Sequence, residues 1–212
     1  MRPRSKILAN PLDLYAPVGK KGMKRAVFLD RDGTINAERG YILRTEDVEL
    51  LPTAGESIRT LNGLGFLTIV ITNQAALGKD LLTLEELETI NQKLWDELQS
   101  QQAFYDGLYY CPHTAEDAQK CLCRKPEPGL VFQAAQDFNI DLATSFLIGD
   151  KLSDIEAGKR SGCKTVLVLT GRGRQSLENL KTTQDSRPDY ICETLQDAVA
   201  WIKSMIEEEK QE

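Results

Sequence analysis

Val27-Phe28-Leu29-Asp30-Arg31-Asp32-Gly33-Thr34 decides how this chain is read. Ala26–Leu29 is a short apolar run closed by polar residues and a glycine, the pattern of a buried strand. Two aspartates follow it, one residue apart. In extended backbone, positions i and i+2 face the same side, so one strand end delivers two carboxylates to one place. Gly33 permits a tight turn after them. A carboxylate with a reference pKa of about 4 is ionised at neutral pH, so Asp30 can act as a nucleophile without prior deprotonation. Asp32 is placed to serve as an acid and base beside it.

Outward from this strand, apolar β-branched runs alternate with helical patterns. Ala54–Leu64 reads as a helix, Phe66–Thr72 as a strand, and Thr83 opens a long helix with a Thr83/Glu86 capping box. Gly107–Tyr110, Ser145–Ile148 and Thr165–Leu169 read as further strands, with Tyr190–Cys192 as a sixth. Gly129–Phe138, Ile155–Ser161 and the segment from Leu195 onward read as helices. This alternation implies βαβ units and a parallel sheet. The expected class is α/β, a Rossmann-like three-layer sandwich with a mostly parallel central sheet. One domain over residues 25–212, preceded by an N-terminal extension of residues 1–24, is the economical division. Thr170-Gly171-Arg172-Gly173-Arg174 lacks the third glycine of a dinucleotide fingerprint and reads as a basic loop at a strand end.

The chain has 212 residues and a net charge of −6. Residues 1–25 hold seven basic residues against Asp13, a sum of +6, which leaves −12 on the rest. So acidic a body disfavours nucleic acid as a partner, and an anionic ligand needs a locally basic pocket. No run reaches the roughly 20 apolar residues that span a bilayer. The basic N-terminus lacks a continuous apolar stretch, so a secretory signal is not expected, and it reads as a solvated lead-in. Five cysteines, three of them within residues 111–123, are not a disulfide framework. They point to a reducing compartment, hence the cytoplasm, and to one metal site. Cys111-x-His113, seven residues, then Cys121-x-Cys123 supplies three sulfurs and one imidazole, a set suited to tetrahedral, structural Zn²⁺. Cys163 and Cys192 read as small buried side chains.

A third carboxylate, Asp150, follows the apolar run Phe146–Gly149 and with Asp30 could hold Mg²⁺. Thr72 and Lys125 are placed to donate to phosphoryl oxygens. Asp30–Thr34, Thr72-Asn73-Gln74, Arg124-Lys125-Pro126 and Gly149-Asp150-Lys151-Leu152-Ser153-Asp154 together resemble, in order, the four motifs of the haloacid-dehalogenase (HAD) superfamily. The resemblance covers about residues 25–170. It implies a hydrolase of phosphoric monoesters with Asp30 as nucleophile and Asp32 as acid/base. Thr72 and Lys125 would stabilise the phosphoryl group. Mg²⁺ would be held by Asp30, the backbone carbonyl of Asp32, and Asp150, with Asp154 behind them.

The Cys111–Cys123 loop followed by Arg124-Lys125-Pro126-x-Pro128-Gly129 is similar to the heptose-bisphosphate and histidinol-phosphate phosphatases of that superfamily. This likeness implies removal of the C7 phosphate of a heptose 1,7-bisphosphate, with histidinol phosphate or another small sugar phosphate as the alternative. It implies Glu38, Arg39, Gly40, Tyr41, Thr72, Asn73, Gln74, Ala75, Arg124 and Lys125 as substrate contacts. It also implies a capless, monomeric enzyme. One stretch departs from the pattern: Ala75-Ala76-Leu77-Gly78-Lys79-Asp80 stands where a hydroxyl and an arginine are usual. A catalytically idle zinc-containing binding module is the reading from a different class.

Overall fold

β2 is Ala26–Leu29, and all four of its residues are buried. Its side chains alternate between two separate apolar clusters: Val27 and Leu29 join one, Ala26 and Phe28 the other. A strand buried on both faces lies in the middle of a sheet covered on both sides, and the rest of the chain supplies those covers. The computed structural model describes residues 5–6, 22–117, 121–180 and 187–209.

The other strands are β1 (Ser5–Lys6), β3 (Leu67–Asn73), β4 (Gly107–Cys111), β5 (Phe146–Gly149), β6 (Lys164–Val168) and β7 (Tyr190–Cys192). All pairings among them are parallel, in the order β1-β4-β3-β2-β5-β6-β7. The helices are α1 (Ala54–Gly63), α2 (Ala75–Gly78), α3 (Leu84–Ser100), α4 (Gly129–Phe138), α5 (Leu152–Ser161), α6 (Gly173–Leu180) and α7 (Leu195–Glu209). Ile58 and Leu61 of α1, Leu87, Ile90, Leu94 and Leu98 of α3, and Ile202 of α7 pack on one face. Leu130, Val131 and Ala134 of α4 and Ala157 of α5 pack on the other. The expected three-layer sandwich is thus present. Between β2 and α1 the chain adds only a 3-10 turn at Thr45–Asp47, and between β3 and α3 only the four-residue α2, so neither connection carries a cap domain.

The Thr83 cap is as the sequence implies. Its hydroxyl accepts from the Glu86 amide at 3.2 Å, and the Thr83 amide donates to the Glu86 carboxylate at 2.8 Å. Three elements differ from expectation. α5 begins at Leu152 rather than Ile155, because the Asp154 carboxylate accepts the Lys151 amide at 3.0 Å and so starts the helix one turn earlier. The basic Thr170–Arg174 stretch is a loop only as far as Arg172. Gly173 opens α6, whose Leu177 and Leu180 pack against Ile155 and Leu167. Finally, most of the extension 1–24 lies outside the described residues, but Ser5–Lys6 forms the edge strand β1 against Leu108–Tyr109. There Lys6 pairs with Asp137 of α4 at 2.7 Å, which a freely solvated lead-in would not do. Among the described residues, no helix is long and apolar enough to cross a membrane.

Candidate active site

In an open α/β sheet, ligands bind beyond the carboxyl ends of the strands where the order reverses. Here the chain leaves β2 for β3 and β4 on one side, then crosses to β5 on the other. Asp30 directly follows β2, Thr72 lies near the end of β3, and Asp150 directly follows β5. The Asp30 amide donates to the Ile148 carbonyl at 3.0 Å, which fixes the first aspartate against the neighbouring strand.

Asp30 and Lys125 are almost fully buried and paired at 2.8 Å. The same ammonium meets Asp154 at 2.6 Å and donates to the Ile71 carbonyl at 2.8 Å. Burial opposes the charge on Lys125, but Asp154 and Asp30 outweigh it and raise its pKa above the usual lysine value. Burial likewise pushes Asp30 up, yet Lys125 and Lys151 overcome it and hold the carboxyl at about 2. Asp30 is therefore an anion across the physiological range. Asp150 goes the other way: burial, reinforced by the Asp30 charge, raises it to about 8.

Asp32 is held differently. Arg31, itself only 1% exposed, donates Nε and Nη2 to the two Asp32 oxygens at 2.9 Å each. Asn36 Nδ2 and Gln74 Nε2 add bonds at 2.9 and 3.0 Å. Arg31 is anchored in turn on Asn91 of α3 at 3.1 Å. The Asp32 carboxylate therefore has a fixed position on the cavity wall, next to Asp30. Gly33 takes φ +94°, and a Cβ there would lie 2.1 Å from Asp150 Oδ2. Gly171 closes on the same oxygen: a Cβ there would lie 2.3 Å away, and the next amide, Arg172, donates to it at 2.8 Å.

A cavity of about 320 Å³ opens over these groups. Of the residues singled out from sequence, Asp30, Asp32, Glu38, Gly40, Tyr41, Thr72, Asn73, Gln74, Ala75, Arg124 and Lys125 line it. Arg39 does not: it pairs with Glu49 at the surface. Asn73 also clasps the Lys125 backbone, donating to its carbonyl and accepting from its amide at 3.1 Å each. Sequence reasoning missed Lys151, Ser153 and Arg172, which also line the cavity. Lys151 was visible as the residue after Asp150. Arg172 carried no signal, because only the fold brings its loop back over β5.

Carboxylate oxygens of Asp30, Asp150 and Asp154 all lie within 4.8 Å of one another. An all-oxygen set of this kind fits Mg²⁺. The second cluster is Cys111, His113, Cys121 and Cys123. Its sulfur and Nδ1 atoms are spaced 3.0 to 3.6 Å apart, as the corners of one small tetrahedron. Hydrogen bonding from Cys123 is the main reason that Cys111 falls to about 6, while the same contact pushes Cys123 up. Donor type, number and spacing fit Zn²⁺. Arg124 ties this loop to the cavity, donating Nη1 to the His113 carbonyl at 2.9 Å.

A family model described as HAD-hydrolase-like matches residues 122–198. The chain is 38% identical over 186 residues to the D-glycero-D-manno-heptose-1,7-bisphosphate 7-phosphatase of Thermosynechococcus vestitus, covering 84% of this chain and 94% of that one. It is 35% identical over 185 residues to the D-glycero-beta-D-manno-heptose-1,7-bisphosphate 7-phosphatase of Haemophilus ducreyi, covering 84% and 98%. Among solved structures it is similar to the D,D-heptose 1,7-bisphosphate phosphatase of B. bronchiseptica complexed with magnesium and phosphate. That match has a TM-score of 0.78 and 28% identity, and covers 85% of this chain and 99% of the other. The chain, with its four motifs gathered at the carboxyl edge of one parallel sheet, belongs to the HAD-like family of phosphatases, alongside these enzymes.

Proposed function

We propose that the protein removes the C7 phosphate of D-glycero-D-manno-heptose 1,7-bisphosphate, with Asp30 as nucleophile. The observation that carries this reading is the pairing of Asp30 with buried Lys125 on the floor of the cavity. An Asp30 oxygen attacks phosphorus, and the bond between phosphorus and the sugar oxygen breaks. Asp32 gives its proton to the departing oxygen. In the second half, Asp32 takes a proton from water, which attacks the aspartyl-phosphate and releases phosphate, restoring Asp30. Thr72 and Lys125 donate to the phosphoryl oxygens, and the Arg31 and Gln74 contacts aim Asp32. Asp30, the Asp32 carbonyl and Asp150 would hold Mg²⁺, which would neutralise charge on the dianionic ester. Cys111, His113, Cys121 and Cys123 would hold Zn²⁺, which would order the loop that ends at Arg124.

Substrate choice follows from the charge of the wall. Arg124, Lys151 and Arg172 line the cavity. Glu38 on the same wall contacts Lys151 at 3.0 Å and Arg172 at 3.6 Å. Arg124, Lys151 and Arg172 suit a ligand bearing a second phosphate better than histidinol phosphate, whose non-reacting end is cationic. The reading includes a catalytic domain over 25–212 with an extension before it, acting as a monomer. Three metal-binding cysteines that must stay reduced favour the cytoplasm. The test is kcat/KM for inorganic phosphate release from heptose 1,7-bisphosphate, histidinol phosphate and simple sugar monophosphates. We expect the bisphosphate to lead by tenfold or more, roughly 1.4 kcal/mol. Preference for histidinol phosphate overturns the substrate, and no release from any ester overturns the reaction.

A further inference from the structure

Lys151 stands where none of the four motifs gives it a task. Its Nζ lies 3.4 Å from Asp30 Oδ2, 3.0 Å from the Asp32 carbonyl and 3.2 Å from Asp150 Oδ1. Those are the three groups proposed above to hold Mg²⁺. A magnesium ion held by these groups would compete with the ammonium for their oxygen lone pairs, and the two like charges repel.

The geometry points to Lys151 as a displaceable internal cation that keeps the magnesium ligands gathered in the metal-free protein and must leave for the metal to enter. This rests on the magnesium reading above.

Two contrasts support the assignment. Lys125 also pairs with Asp30 but is 1% exposed and locked between Asp30 and Asp154, so it cannot yield its place. The Lys151 side chain is 32% exposed and borders the cavity. The second contrast is between backbone and side chain. The Lys151 amide is pinned to Asp154 at 3.0 Å at the start of α5, so exchange needs only rotation of a flexible four-carbon stem. A destination is already in contact: Glu38 Oε2 lies 3.0 Å from Nζ and Arg172 steadies Glu38 from the other side. Without any cation there, the Asp30, Asp150 and Asp154 oxygens would face one another within 4.8 Å with only Lys125 to offset them.

The experiment titrates MgCl₂ calorimetrically into metal-free wild type, Lys151→Met and Asp150→Asn, and follows Tm with and without metal. Removing a competing cation tightens apparent binding by the fraction of time it blocks the site, so Lys151→Met is expected to bind Mg²⁺ about tenfold more tightly. Its metal-free Tm falls, and its Mg²⁺-induced rise in Tm exceeds that of wild type. Affinity changed by less than about threefold, or weakened, overturns the inference. Asp150→Asn separates the two layers: if it binds Mg²⁺ as wild type does, the magnesium assignment fails and the inference with it. Should metal-free Lys151→Met not fold, the decision passes to the ¹⁵Nζ signal of Lys151 in wild type. A shift on adding Mg²⁺ supports the exchange, and an unchanged signal refutes it.

Discussion

The two cation-binding regions of this molecule are built in opposite ways. The sulfur–imidazole set comes from one loop, residues 111–123, at the end of a single strand. The carboxylate set draws Asp30, Asp150 and Asp154 from two stretches of chain more than a hundred residues apart, aligned by the β2–β5 pairing. The loop set has donors alone, four of them, and could close around a metal. The strand-end set interleaves donors with cations: Lys125 between Asp30 and Asp154, and Lys151 across Asp30 and Asp150. A closed set of four soft ligands leaves no position for chemistry. An oxygen set facing a cavity and already charge-balanced can accept a ligand, react and reset. On the proposed mechanism, the carboxylates serve catalysis and the cysteines serve folding.

Substitutions in the two regions should therefore fail differently. The largest effect is expected from Asp30→Asn, which keeps the shape of the side chain and removes its charge. Turnover should fall by about 10⁴-fold or more, roughly 5 kcal/mol of barrier, while the circular dichroism spectrum is retained. Substantial residual turnover would mean that the strand end is not the reacting centre.

Cys121→Ser should act on the other region. Zinc content by atomic absorption should drop and Tm should fall, with kcat/KM reduced about 10- to 100-fold through the loss of Arg124 placement. A loss of turnover as deep as that of Asp30→Asn, with Tm unchanged, would erase the distinction between the two regions.

Asp137→Asn sets the baseline, away from both. Asp137 accepts from Lys6 and from Tyr109 at 2.7 and 2.6 Å. Burial pushes its pKa up, but those partners overcome it and hold it below the usual carboxylate value. A carboxyl depressed on folding adds stability above its unfolded pKa of about 3.9 and loses it as pH falls through the lower folded value. Partial exposure screens the pair, so the substitution should cost only about 0.5 to 1 kcal/mol at pH 7. Urea unfolding at pH 7 and pH 3 should show that difference shrinking at the lower pH, with kcat unchanged.

The same contrast explains what the sequence could reveal. All four sulfur–imidazole ligands sit in thirteen residues, so spacing alone exposed them. Asp30 and Asp150 were legible because each follows an apolar strand pattern, and parallel strands deliver their ends to one edge. Lys151 stands inside a motif, but its role is hidden in the sequence because its contacts depend on how the ends of β2 and β5 meet. Arg172 was hidden in a glycine–arginine stretch that reads as a loop, although its next residue opens α6 and its own amide holds Asp150. The family likeness places Arg39 with Glu38, Gly40 and Tyr41 among the substrate contacts, but Arg39 pairs with Glu49 at the surface instead.

The proposed mechanism requires Asp30 itself to take the phosphoryl group. Rapid quench during turnover, borohydride reduction and peptide mass spectrometry test it directly, since an aspartyl-phosphate is reduced to homoserine. Homoserine at position 30, and only during turnover, is the predicted result. Homoserine at position 32 or 150, or none at any aspartate while phosphate is being released, would contradict it.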